Sequence, residues 1–546
     1  MLIINIIIFS LLILAWLLPN HYLPWLSAYQ EFCMFLVALF FSFLLIFKNK
    51  IYVPKIAYGI FLIVLIPIIQ VFLGIIYNLG DALLVSMYIG FFLITFISGY
   101  SVSKLKDDNK SKILNFFLIS FLFSSIISVG LQLNQWLLLE GNIWIVDLAP
   151  NARPFANVAQ PNLLSTLLIT GLFAVFHLYE NNKIRSFSAS LAIAFILFGI
   201  ALTFSRTAWL FYFIFIIFYF FKKNTIKDKF YFKPLSLFIW SGILFIYLLL
   251  IPFLSEKLGL IYEVDLNRRA TKGMERLNMW SQLLDIIQQQ PFLGYGWNQL
   301  NIAQMSAENI NSNYPVFGYS HNFILDFLIW NGVFIGIILV CVISYFYINL
   351  ALRINQKCDV ILLGIIGIIA LHSMLEYPFA YSYFLIPLAF FTGIIYGKYY
   401  FYPIATKKSK FFYSFLTIAL TCMLLLTTYE YIKINPDYQA MRYENVQLKN
   451  RESNQEEQRY LMLKSINDYI WFVRYPLQQD MSSNDLWRAR QVVFSKPEKP
   501  ALVHYIKILV MNNRFDEAQY VINKYNAFYR AELKINDLKL DISNKR

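Results

Sequence analysis

Apolar residues run in long blocks through positions 3–428, separated by short polar or basic connections. The blocks at 3–18, 32–47, 60–77 and 82–100 approach or reach the roughly 17–25 residues that an α-helix needs to cross hydrocarbon. Further blocks at 113–133, 163–178, 187–203, 208–221, 235–254, 323–350, 360–371, 379–396 and 411–428 extend the series to about thirteen candidate spans. The pattern predicts an all-α, polytopic membrane helix bundle. Four sequential regions follow: an N-terminal transmembrane bundle at 1–254, a large external loop at 255–322, C-terminal transmembrane helices at 323–428, and a small helical tail at 429–546. The first block resembles a signal sequence in length, but Pro19-Asn20-His21 offers no small-residue cleavage site and no basic residue precedes it, so it is read as a helix.

Within the large loop, positions 276–290 place Leu277, Trp280, Leu283, Leu284 and Ile287 on one face of an amphipathic helix. Pro161 and Asn162 mark the end of one external connection and the start of a helix. In the tail, 501–528 has the form of one TPR-like helix-turn-helix repeat, broken at Asn512-Asn513.

Charge sets the orientation, because short cytoplasmic loops are enriched in Lys and Arg. Alternate connections are basic, as at Lys104, Lys106, Lys110 and Lys112 or at Lys222, Lys223, Lys227, Lys229 and Lys233, and the intervening short ones carry almost none. This places the N-terminus inside and, after an odd number of spans, the tail outside. Composition agrees: the 546 residues are 58% hydrophobic and only 14% charged. The formal charge of +14 is largely the sum of these anchors, so no nucleic-acid partner is inferred. Cys33, Cys341 and Cys422 fall in apolar blocks and Cys358 in a basic connection, giving neither a disulfide framework nor metal-ligand spacing.

Candidate chemistry lies on the external face. The large loop carries Arg268, Arg269, Lys272 and Arg276 against the positive-inside trend, and basic residues held there make a natural anion site. No two of His21, His177, His321, His372 and His504 have the short spacing of a metal site, so metal-independent chemistry without a cofactor is expected. His321 sits in Tyr319-Ser320-His321-Asn322, where the large loop re-enters the membrane. Its bland role is a helix cap; its functional role is a neutral base beside arginines that oppose a second positive charge. Arg206 divides two apolar blocks, and Arg153 lies in the preceding external connection. Singly each is a surface charge or an anchor; together with Arg276 and His321 they describe a site able to hold a diphosphate and deprotonate a hydroxyl. His372 and Glu376, four apart at a helix end, are read as a structural polar pair, and Trp25, Trp136, Trp144 and Trp297 as an aromatic belt.

These residues stand in motifs. Pro19-Asn20-His21-Tyr22-Leu23-Pro24-Trp25 with Glu31, then Arg153-Pro154-Phe155-Ala156-Asn157-Val158-Ala159-Gln160-Pro161-Asn162, then Thr203-Phe204-Ser205-Arg206 come first. Arg276 to Trp280, Pro291-Phe292-Leu293-Gly294-Tyr295-Gly296, Ser320-His321-Asn322 and His372-Ser373-Met374-Leu375-Glu376-Tyr377-Pro378 follow. In this order the chain resembles the O-antigen ligase and polymerase superfamily, and within it the bacterial protein O-oligosaccharyltransferases that glycosylate pilins and other periplasmic proteins. Ala156 stands where that branch frequently has glycine. The resemblance covers nearly the whole chain; each motif is moderately specific, and their order is the stronger signal.

The resemblance implies an inner-membrane glycosyltransferase that moves a preassembled oligosaccharide from undecaprenyl diphosphate to Ser or Thr hydroxyls of a periplasmic, pilin-like protein. His321 would be the base; Arg153, Arg206 and Arg276 would bind the diphosphate; Gln160, Asn162, Tyr319 and Asn322 would support them. Two other functions compete: an O-antigen ligase or polymerase, with lipid A core or another glycan as acceptor, and a lipid-linked sugar transporter. The glutamine-proline-asparagine motif and the helical tail favour a protein acceptor. A transporter would show repeated halves and mid-membrane polar residues, neither of which the sequence displays.

Overall fold

A computed structural model describes residues 2–139, 142–149, 152–260, 266–308, 316–400, 403–404, 406–448 and 458–538, with side chains from 3 and, in the large loop, from 276. The side chains of Arg268, Arg269 and Lys272 therefore lie outside the described set. The chain is a polytopic helical protein. In order its helices are α1 (Leu2–Leu17), α2 (Ala28–Phe47), α3 (Ile56–Phe72), α4 (Leu79–Ser103), α5 (Asp107–Trp136), α6 (Pro161–Glu180), α7 (Ser186–Thr203), α8 (Arg206–Lys222), α9 (Pro234–Lys257) and α10 (Leu266–Gln289). There follow α11 (Leu300–Ser306), α12 (Phe323–Arg353), α13 (Lys357–Ser373), α14 (Ser382–Tyr399), α15 (Lys407–Asn445), α16 (Lys464–Arg474), α17 (Ser483–Ser495), α18 (Lys499–Met511) and α19 (Phe515–Tyr529). The strand content is one antiparallel pair of two-residue strands, Val53–Pro54 with Pro403–Ile404, among the described residues.

Each of the thirteen apolar blocks lies on its own helix. Eight of these, α2, α4, α5, α6, α7, α9, α12 and α15, are long and apolar enough to cross a membrane, and α1 and α3 are shorter apolar helices. Lipid-facing and core helices separate by burial. The apolar window of α6 is 83% buried and that of α9 only 17%, with Phe238, Phe245, Leu249 and Phe253 of α9 facing outward. The boundary drawn at 428/429 falls inside a continuous helix, because α15 runs on to Asn445.

The chain divides into two compact units. The first, Met1–Phe61, Tyr88–Leu266 and Ser344–Thr421, is centred on α6, which packs on α5, α7, α8 and α13. Small residues permit the close approach: a Cβ on Gly171 would come within 2.2 Å of Ser125 Oγ. The second unit is Leu62–Met87, Asn267–Ile343 and Cys422–Arg546. Its tail helices α16–α19 share a core with the large loop, through Met305 of α11. Lys524 donates to the carbonyls of Gln304 and Ala307, and Tyr520 to that of Met305 at 2.7 Å, so the open end of α11 is capped by the tail. Burial pushes Lys524 down to about 8. Arg474 grips Glu444 through two bonds of 2.7 and 3.0 Å and Asp437 at 2.6 Å, tying α16 to the end of α15. The turn at Asn512-Asn513 separates α18 from α19, as the sequence predicts.

Candidate active site

The candidate residues fall into two groups, one in each unit. In the first unit, the connection between α5 and α6 carries Arg153, and buried amides fix its course. Gln135 Oε1 accepts from the N–H of Phe155 at 2.9 Å and of Ala156 at 2.7 Å, and its Nε2 donates to the carbonyls of Val146 and Ala156. Gln132 Nε2 donates to the carbonyls of Pro154 and Gly199. Asn157 Nδ2 donates to the carbonyls of Leu17 and Trp144, while its Oδ1 accepts from Val146 N–H. A non-repetitive segment inside a bundle must satisfy its backbone somewhere, and three amide side chains do so here. His21 Nε2 donates to the Asn157 carbonyl at 2.8 Å. Burial holds this imidazole below its usual range, so it stays neutral at pH 7 and acts as a structural donor.

So fixed, Arg153 reaches across to donate from Nη1 to the Thr203 carbonyl at 2.8 Å. Thr203 ends α7, Phe204 turns the chain at φ +45°, and α8 begins at Arg206. One guanidinium thus bonds the same tight turn that presents the other. Arg153 is half-buried and Arg206 exposed. Gln160 caps α6 by accepting from Leu163 N–H at 3.3 Å, with Pro161 in the first helical position. Gln160 and Asn162 then donate to the two oxygens of Glu376, at 3.4 and 3.2 Å. His372 Nδ1 bonds Thr166 Oγ1 at 2.8 Å. Both members of the expected His372/Glu376 pair therefore bond α6, because α13 ends at Ser373 and the chain beyond it turns toward that helix.

In the second unit the segment 319–322 is held from both sides. Trp280 Nε1 on α10 donates to the Ser320 carbonyl at 2.9 Å, and the Ser320 N–H donates to Asp326 Oδ1 at 2.8 Å. Arg276 lies one helical turn before Trp280, on the same face of α10. His321 has φ +56°, the left-handed conformation, which among non-glycine residues is uncommon and favours asparagine, aspartate and histidine. Helix capping falls to its neighbour: Asn322 Oδ1 accepts from Ile324 N–H at 3.0 Å, and Ser320 Oγ accepts from Asn322 N–H. His321 itself is half-buried. Tyr319 packs edge-on against Trp330, with ring centroids 6.3 Å apart.

Ten residues further on, α12 breaks at Gly332, φ +74° and ψ 170°. A continuous helix would pair the carbonyls of Ile329 and Trp330 internally; here they accept from Tyr295 and Gly296 N–H at 2.8 and 3.1 Å, and Val333 N–H donates to Pro291 at 2.7 Å. Gln70 completes the joint, donating to the Trp330 carbonyl and accepting from Trp297 N–H. A Cβ on Gly332 would come within 2.3 Å of the Phe292 carbonyl oxygen, which explains glycine at this crossing. The Pro291–Gly296 motif is thus a plug for a broken helix. Trp297 is buried against Trp330, and Trp136 is buried with its indole on Ser255, so these two belong to unit interiors instead of a belt. Sequence reading missed Gln132, Gln135, Gln70 and Asp326, and gave Trp280 only a place on an amphipathic face and in a motif; the first four share one signal, a polar group within or beside an apolar block.

Among the described residues no group of three His, Cys, Asp or Glu side chains is placed to hold a metal. What the two groups offer chemically is cationic side chains with fixed backbones and one imidazole in a constrained turn. A multi-pass helical membrane protein with such polar loops defines a class, and comparison with known proteins refines it. Residues 191–341 match the family described as O-Antigen ligase, and 360–538 the family described as Virulence factor membrane-bound polymerase, C-terminal. The chain is 31% identical over 544 residues to the General O-oligosaccharyltransferase of Acinetobacter baylyi, spanning 97% of this chain and 93% of that protein. It is 32% identical over 353 residues to the ComP-specific O-oligosaccharyltransferase of the same organism, spanning 64% of this chain and 62% of that one. The chain belongs to the O-oligosaccharyltransferase family, and it is a membrane glycosyltransferase.

Proposed function

We propose that this protein transfers a preassembled oligosaccharide from undecaprenyl diphosphate to a Ser or Thr hydroxyl of a periplasmic, pilin-like protein at the outer face of the inner membrane. The observation that carries this reading is similarity along almost the whole chain to a general O-oligosaccharyltransferase, with the arginine and histidine motifs in order. Alternating basic connections support an outward site. The acceptor oxygen attacks the anomeric carbon, the bond from that carbon to the diphosphate oxygen breaks, and the hydroxyl proton passes to His321. General-base help of this kind contributes roughly 10²- to 10⁴-fold. Charge develops on the leaving diphosphate, where Arg153, Arg206 and Arg276 stabilise it. With three guanidinium groups in that role the reaction runs without a metal, and activity persists in chelator. A helical tail that shares its core with the loop bearing Arg276 and His321 suits a protein acceptor.

The matched family descriptions also favour a second reading, transfer to lipid A core or to another glycan. One experiment separates them. The chain is co-expressed with an undecaprenyl-linked glycan pathway, a candidate pilin and a lipid A core acceptor, and intact masses of both products are measured. A glycan-sized increment on the pilin is expected; transfer to lipid A core alone replaces this reading with the ligase.

A further inference from the structure

Asp326 begins an apolar helix yet is fully buried, a costly place for a carboxylate. One oxygen has an evident duty, accepting the Ser320 N–H. The second, Oδ2, is buried with no hydrogen-bond partner among the described residues. A backbone cap needs one acceptor oxygen, and serine, threonine or asparagine supplies it without burying a charge. The surplus oxygen therefore asks for another partner. Asp326 lies within electrostatic range of His321, which has a left-handed backbone and directly follows Ser320, the residue whose N–H Asp326 accepts and whose carbonyl Trp280 binds.

We propose that Asp326 is a positioning residue for His321: its free Oδ2 receives an imidazole N–H when an acceptor hydroxyl is bound, fixing the ring's orientation and tautomer. This rests on the reading of His321 as the base. The proton of the acceptor hydroxyl goes to one ring nitrogen, and the N–H on the other is held by the Asp326 carboxylate. The positive charge formed on the ring is balanced by the carboxylate that holds it, so no further co-reactant enters the step. The same logic explains why an acidic group was kept at the head of an otherwise apolar helix.

The test uses the full-length protein, a lipid-linked oligosaccharide and the acceptor identified by the mass experiment, reading initial rates against both substrates. Asp326→Asn keeps an oxygen for the Ser320 N–H and removes the charge. Asp326→Glu keeps the charge and lengthens the arm. The proposal expects Asn to lower kcat at least about tenfold with donor KM within about twofold, and Glu to be faster than Asn. In a His321→Ala background, Asp326→Asn should cost nothing more. If Asn does not accumulate in the membrane, Asp326→Ser, which also leaves an acceptor for Ser320, takes its place in the comparison. An Asn or Ser enzyme with wild-type kcat, a Glu enzyme slower than Asn, or an undiminished Asp326 effect without His321 would each leave Asp326 a backbone cap and overturn the proposal. Full activity of His321→Ala sinks the base assignment itself, which keeps the two failures apart.

Discussion

The two polar regions solve the same problem, holding cationic side chains in loops at the ends of apolar helices, by opposite means. Around Arg153 the loop is satisfied by side chains: Gln132, Gln135 and Asn157 reach from the interior to the backbone. Around His321 and Arg276 it is satisfied mostly by backbone, with a glycine-rich segment paired into a broken helix and one indole and one carboxylate at the tip. Amide scaffolds tolerate many backbone shapes, so Ala156 and Ala159 sit at φ +52° and +62° within one. A backbone crossing tolerates only glycine. The first region is thus vulnerable through its side chains and the second through its main chain, while chemistry should depend on the tips of both.

The largest effect expected is at the tip of the second region. His321→Ala should slow glycan transfer by about 10²- to 10⁴-fold at equal expression, read by intact mass of the acceptor over time. Undiminished transfer would remove the chemical asymmetry between the regions and leave both as anion holders. Next comes the backbone of the same region. Gly332→Ala places a methyl 2.3 Å from a carbonyl oxygen at φ +74° and should lower stability by about 3 kcal/mol or more, seen as a large drop in the thermal-shift midpoint of detergent-purified protein. In the first region the corresponding injury is Gln135→Ala, which strands Phe155 and Ala156 N–H groups and should cost about 2–4 kcal/mol, with donor KM rising as Arg153 loses its anchor. A Gln135→Ala protein with unchanged midpoint would show that waters replace the amide and that the scaffold is looser than drawn. Trp280→Phe removes only an indole N–H, so a loss of about 1 kcal/mol and a severalfold fall in kcat are expected; a larger fall would make the tip, and not the crossing, the sensitive part of the second region.

The apolar blocks, the amphipathic face of α10, the helix start at Pro161 and the tail's paired helices were legible because each depends on local periodicity or on residue types with strong positional preference. The candidate arginines and His321 were legible through motif context. What was not legible depends on contacts between distant positions. Nothing in the run from 323 to 350 marks Gly332 as a break until the loop at 291–296 is seen to occupy it, 36 residues earlier at its Gly296 end. Gln132 and Gln135 look like the polar fringe of a span and turn out to bond the backbone of distant segments. From position alone His321 reads as a cap, and the bond from Ile324 N–H to Asn322 assigns that duty to its neighbour.

The smallest effect belongs to Ala156, and it tests whether positive φ alone distinguishes the regions. Moving alanine out of the left-handed region relieves about 1–2 kcal/mol, so Ala156→Gly gains that much in the folded state. Against it stand the greater freedom of glycine in the unfolded chain, about 0.4–1 kcal/mol, and the loss of a fully buried methyl, about 0.8 kcal/mol. The terms nearly cancel, and a thermal-shift midpoint within a degree or two of wild type is expected. Set beside Gly332→Ala, the result isolates the steric crossing from the dihedral angle, since both substitutions act at positive φ and only one puts a methyl into another segment's backbone. A midpoint raised by several degrees would mean that Ala156 is held under strain by Gln135, and that the amide scaffold, far from being permissive, imposes its shape as firmly as the glycine crossing does.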